Sequence, residues 1–223
     1  MENHFQINKA VFFFLILPIA LFFASCSQSA PEVASTDYSV IFDYNDEKTL
    51  PQARLSVFAL SASDVRRYQK IKITNFETGY TWETDVIDIL EANEQQWAGC
   101  TNLKAPENEV LPCGQYELTY YNADEKECTV VLDVQYDLAF YNVVLSALSD
   151  VMTKKNGIEK IAIYDKEHIL IYFGERTQEL KSTRDIWIKY RDAGFYQIIW
   201  YSRDGTVICI EPEKLVVPES ENE

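Results

Sequence analysis

"GQYELTYYNAD", residues 114–124, is answered eighty residues later by "GFYQIIWYSRD", residues 194–204. Gly114 aligns with Gly194, Tyr116 with Tyr196, Tyr121 with Tyr201 and Asp124 with Asp204. Each copy alternates apolar and polar positions with the period of two that marks a strand, and each runs into a polar turn. In the first, Tyr116, Leu118 and Tyr120 share a face; in the second, Tyr196, Ile198 and Trp200 do. "CTVVLDV" (128–134) and "TVICI" (206–210) return from the two turns as second strands, and Asp204-Gly205 is a strong hairpin signal.

The similarity spreads outward from these hairpins. "VVLSALSDV" (143–151) echoes "VFALSASDV" (57–65), and "IEKIAIY" (158–164) echoes "YQKIKIT" (68–74). "KIKIT" is a clean strand, with Ile71 and Ile73 on one face and lysines on the other. With 14 Tyr, 12 Phe and 4 Trp, the composition favours sheet. The expectation is a mainly β chain of two tandem β-sandwich modules, residues 38–136 and 137–217, ahead of an acidic tail at 218–223. Two segments carry competing signals. Residues 85–99 read as a short helix stopped by Gly99 or as strand. Residues 138–157 carry a helical spacing of Leu138, Tyr141, Leu145, Leu148 and Met152, against which the repeat argues for strand.

Asp192-x-Gly194-x-Tyr196 resembles the turn into the sixth strand of immunoglobulin-like domains. There the tyrosine hydroxyl bonds back to the turn and pins the corner. Pro112-x-Gly114-x-Tyr116 keeps the Gly and Tyr but lacks the Asp. The resemblance implies two immunoglobulin-like modules; it implies no activity, because this fold hosts many.

The amino terminus reads as a processing segment. "AVFFFLILPIALFFA" (10–24) is too short for a comfortable membrane span and is interrupted by Pro18. Small residues then precede Cys26 in "FFASC". This pattern resembles the lipobox of bacterial lipoproteins, in a loose form of the spirochaete type, with Phe23 where Leu is usual. The resemblance implies a signal peptide over 1–25, acylation of Cys26 and a lipidated tether over 26–37. It also implies residence in a bacterial cell envelope, at the outer membrane rather than the inner. Acyl chains supply membrane affinity by burying CH₂ groups, so the rest of the chain need not be hydrophobic.

The net charge of −15 opposes nucleic acid and anionic lipid alike. His168 is the one histidine outside the leader, in a turn, which leaves little for a histidine-based triad. The cysteines are spread singly, unlike a zinc site. "DYNDE" (43–47) is rich in oxygen ligands but lacks the spacing of a calcium loop. The reading is therefore of a non-catalytic binding or structural module with no cofactor or metal, engaging an envelope protein or glycan. A hydrolase using paired carboxylates and a subunit of an envelope assembly or adhesion complex are the rivals. "HILIYF" (168–173) and "YQIIWY" (196–201) are apolar on both faces, where an open sandwich strand has one polar face. Tyr121, Leu170, Tyr172, Ile199 and Tyr201 are accordingly the candidate interaction surface. An exported chain permits disulfides. Cys100 and Cys113 flank one loop and are expected to pair, at about 3 kcal/mol. Cys128 and Cys209 occupy equivalent last strands and are expected to stay buried thiols.

Overall fold

Alternating apolar residues build strands along most of the chain, and the ladders they form are given by a computed structural model that describes residues 30–47, 49–62, 64–106 and 109–216. The strands are β1 (Val33–Asp43), β2 (Gln52–Ser61), β3 (Lys70–Asn75), β4 (Thr81–Thr84), β5 (Asp88–Ala92), β6 (Gln95–Lys104), β7 (Gly114–Tyr121), β8 (Glu127–Val134), β9 (Ile158–Asp165), β10 (Leu170–Glu175), β11 (Ala193–Tyr201), β12 (Val207–Ile210) and β13 (Lys214–Leu215). Two helices interrupt them, α1 (Leu145–Lys154) and α2 (Thr183–Lys189). The fold is mainly β, with sheets packed together.

Four strands form one sheet in the order β4-β3-β7-β8. The other sheet has nine, in the order β10-β9-β11-β12-β1-β2-β6-β5, with β13 beside β11. The first half thus has two facing layers. Ile71 and Ile73 of β3 and Tyr116, Leu118 and Tyr120 of β7 are buried in one core cluster with Leu55, Val57 and Ala98. The second half brings strands to the large sheet only, among the described residues, and supplies helices rather than a second sheet. Leu148 and Met152 of α1 and Ile186 of α2 are buried in the same cluster as Ile161, Ile198 and Trp200. The expected second sandwich is therefore not what these residues build. Nor do the halves keep separate sheets: β12 lies parallel to β1, with Val40 opposite Val207 and Phe42 opposite Cys209. Phe42 packs its ring, tilted or edge-on, among Tyr136, Phe140 and Tyr141 of the connection between halves.

The repeat survives at the scale of the hairpin. β7–β8 and β11–β12 are joined by loops of equal length, 122–126 and 202–206, and each loop has a left-handed residue at the same place, Glu125 (φ 57°) and Gly205 (φ 76°). It fails at 138–157, where a 3-10 turn (Leu138–Asn142) precedes α1. Helical spacing outweighs the echo of 57–65 because Leu148 and Met152, four apart, reach the core together. Asn156 (φ 56°) closes the helix: its N–H bonds the Thr153 carbonyl and that of Gly157 bonds the Met152 carbonyl, the paired bonds of a Schellman end. Residues 85–99 hold two strands and their turn, not a helix. Asn93 and Glu94 both take positive φ (53° and 62°), the primed turn that joins β5 to β6 as a hairpin.

The tyrosine corner forms in the copy that lacks the Asp. The Tyr116 hydroxyl donates to the Pro112 carbonyl at 2.5 Å, whereas the Tyr196 hydroxyl has no protein partner among the described residues. The approach to the strand explains this. Extended chain leads into β7, while β11 is entered from α2 through a turn in which the Ala193 N–H bonds the Tyr190 carbonyl.

Candidate interaction surface

Directly opposed residues in a ladder share a face, so the registers settle which side chains stand together on the large sheet. One row runs Glu175, Lys160, Ile199, Ile210, Asp43 across five strands; the next runs Ile158, Tyr201, Ile208, Ile41. Phe173 opposes Ala162, which opposes Gln197, and Leu170 opposes Tyr164, which opposes Phe195. This face lies opposite to the one carrying Ile161, Ile198 and Trp200 of the core.

Ile199 and Tyr201 thus sit side by side on the outer face, and Leu170 joins the same face two strands away. Ile199 is only 8% exposed. Lys160 stands opposite it on β9, with its ammonium 4.8 Å from the Tyr201 ring and 5.3 Å from that of Phe173. Tyr172 points the other way and stacks on Tyr190 at 5.6 Å. Tyr121 belongs to the other sheet, under the Lys70 ammonium at 4.5 Å. The five candidates do not form one patch.

What stays uncovered is β10 with the residue before it: Ile169, Leu170, Ile171 and Phe173 are 64, 52, 37 and 44% exposed. β10 ends the nine-stranded sheet and pairs with β9 alone. The apolar run "HILIYF" pointed to this strand, but Ile169, Ile171 and Phe173 were missing from the candidates. Their exposure follows from β10 being an edge, which only the strand order reveals. The neighbouring turn is pinned by Asp165, whose Oδ1 accepts from the N–H groups of Glu167 and Ile169. His168 there is exposed, stacks on Phe195 at 4.2 Å and approaches Glu213 at 3.3 Å.

A cavity of about 870 Å³ opens between the connection after β8, α1 and the β11–β12 loop, lined by Tyr136, Asp137, Phe140, Lys155, Arg203 and Thr206 among others. Asp137 and Lys155 pair across it at 2.7 Å, which holds the Asp137 carboxyl below the usual carboxylate range. Asp204 is also displaced downward, by hydrogen bonds from Ser202 and Thr206. Glu179 follows through Lys189. None of these three has the raised pKa of a carboxyl poised to give a proton. No three of His, Cys, Asp and Glu converge as metal ligands among the described residues. In "DYNDE", Asp43 pairs instead with Arg54 at 2.6 Å and Asp46 accepts from the Thr49 N–H.

The expected Cys100–Cys113 disulfide is absent: Cys100, Cys113, Cys128 and Cys209 are all free. Cys100 lies near Tyr120 and Asp88, and Cys113 near Tyr116 and Tyr136. Cys100 stands on β6 of the large sheet, whereas Cys113 immediately precedes β7 of the four-stranded sheet. Burial pushes the Cys100 and Cys209 thiols up to about 12. Cys209 is fully buried as expected; Cys128, on the edge strand β8, is only half-buried. Cys26 lies outside the described residues, as do residues 1–29 and 217–223 entirely. No helix among the described residues is long and apolar enough to cross a membrane. No known family model matches the chain, and no curated protein is significantly similar to it.

Proposed function

We propose that this chain is a lipid-anchored, non-catalytic binding module of a bacterial cell envelope, held by an acylated Cys26 and recognising a protein partner through the edge of its large sheet. The observation that carries the recognition element is the exposed apolar strand β10 at an unpaired sheet edge. A strand edge offers a row of free N–H and C=O groups, the means by which proteins add a partner's strand to a sheet. The immunoglobulin-like reading is kept for residues 38–136 alone. There the two layers β1-β2-β6-β5 and β4-β3-β7-β8 have the ABED and C′CFG order of such domains, and Tyr116 makes the corner bond. Of the rival readings, the assembly subunit is favoured by the same edge. The hydrolase finds no support in carboxylates held in their ionised form.

The anchor is tested by metabolic labelling with a palmitate analogue in a bacterial host. The expected result is a labelled, membrane-associated chain, and Cys26→Ala should lose both label and membrane association. A label that survives the substitution overturns the lipoprotein reading.

A further inference from the structure

We propose that the cavity beside α1 is a binding site for a small monocarboxylate with an apolar body, its carboxylate held by Arg203 and Lys155; this goes beyond the proposed function and needs neither β10 nor Cys26. The volume of about 870 Å³ lies in the range of small-ligand sites. The connection after β8, the end of α1 and the β11–β12 hairpin build the walls. Met152 in the last turn of α1 and Lys155 at its cap are three residues apart, a spacing that puts both on one side of the helix. Phe140 comes from the 3-10 turn before α1, and Val207 opens β12. Phe140, Met152 and Val207 are buried core residues, so the inner wall is apolar.

The rim is polar, and most of it is spent within the chain. The Asp137 carboxylate takes the Lys155 ammonium at 2.7 Å and the Ala139 N–H. Asp204 accepts from the Ser202 hydroxyl and from the Thr206 hydroxyl and N–H. The Tyr136 hydroxyl donates to the Leu111 carbonyl. Arg203 differs, for its guanidinium has no hydrogen-bond or ion-pair partner among the described residues. Its planar fork of N–H donors is open at the mouth and matches a carboxylate bidentately. Lys155 keeps further N–H donors beyond the one it gives Asp137. Its ammonium also lies 5.7 Å from the Phe140 ring, so cationic rim and apolar wall adjoin. What the site lacks is an acceptor, and an ionised acceptor makes the stronger bond. Lys155 and Arg203 are balanced by Asp137 and Asp204. A single carboxylate therefore fits, whereas a polyanion would meet fixed acids in a chain of net charge −15. A cation would find both acids already supplied with donors and Arg203 facing it.

The test irradiates the full chain, in membranes of an expressing bacterium, with 4-benzoylbenzoate, a photoactivated monocarboxylate, and maps the adducts by peptide mass spectrometry. Adducts are expected on the peptides that hold Phe140, Met152 and Val207, and excess biphenyl-4-carboxylate should suppress them. 4-Benzoylbenzamide has the same body without the charge and should label these peptides about tenfold less, the size of one charge-assisted bond. Arg203→Gln should lower labelling by the acid by a similar factor and leave labelling by the amide unchanged, while Arg203→Lys should retain most of the acid's labelling. Arg203 is exposed on a loop, so both variants should keep the circular dichroism spectrum of the parent chain. No adducts on this wall, adducts that survive the competitor, equal labelling by acid and amide, or labelling indifferent to Arg203→Gln each overturn the carboxylate site. Adducts confined to the exposed side chains of β10 overturn it too, because they report apolar surface alone.

Discussion

The Tyr116 hydroxyl donates to a carbonyl four residues upstream. Tyr116→Phe removes that donor and leaves the Pro112 carbonyl short of a partner in a buried corner. The expected loss is about 1–2 kcal/mol of unfolding free energy. Tyr196→Phe, at the aligned position, removes a hydroxyl without a protein partner and should change stability by less than about 0.5 kcal/mol. Urea melts of the two variants check the contrast; equal losses would put the corner in both hairpins. The sequence favoured the opposite assignment, because the Asp that accompanies such corners stands before Tyr196. The residues of the motif were legible, while the direction from which the chain enters the strand was not.

Hairpins are the element at which the internal repeat is real. The loops at 122–126 and 202–206 each close on a side-chain oxygen, at the first residue of one and the third of the other. Asn122 accepts from the N–H groups of Asp124 and Lys126, and Asp204 accepts from Thr206 and the Ser202 hydroxyl. Both loops then need a left-handed residue, which only glycine adopts without steric cost. Gly205→Ala should destabilise the protein by about 1 kcal/mol. Glu125→Gly should relieve a comparable strain, offset in part by the greater freedom of glycine in the unfolded chain. Thermal melts showing no loss for Gly205→Ala would refute the equivalence. α1 is the contrary case: its residues echo 59–68, the end of β2 and the turn that follows it, yet its Leu148 and Met152 are spaced to bury one helical face.

At the scale of the whole molecule, β12 beside β1 decides the organisation. A parallel contact between the short strand β12 and the first strand makes the two halves parts of one sheet, and Phe42 and Cys209 are buried at that contact without exposure. Separate modules would unfold separately. Here calorimetry of residues 30–216 should give one transition, and residues 137–216 expressed alone should lack the near-ultraviolet dichroism of packed aromatics. Two resolved transitions, or a folded 137–216 fragment, would restore the division at residue 137.

The sequence by itself determined the strands and their inward faces, because a period of two leaves no other way to bury Ile71 and Ile73 or Ile198 and Trp200. It determined the two hairpins with their turn residues, and it marked "HILIYF" as a strand with too little polar surface. These are local properties, fixed by spacing and by backbone preference. The tertiary structure decided which strands are neighbours. That order puts Cys100 and Cys113 at different sheets, sets Lys160 opposite Ile199, turns Tyr172 onto Tyr190 and leaves Phe173 on an open edge. Strand order depends on contacts between residues far apart in the chain, and alternation within a strand reads the same whether its neighbour is β1, a second copy or solvent.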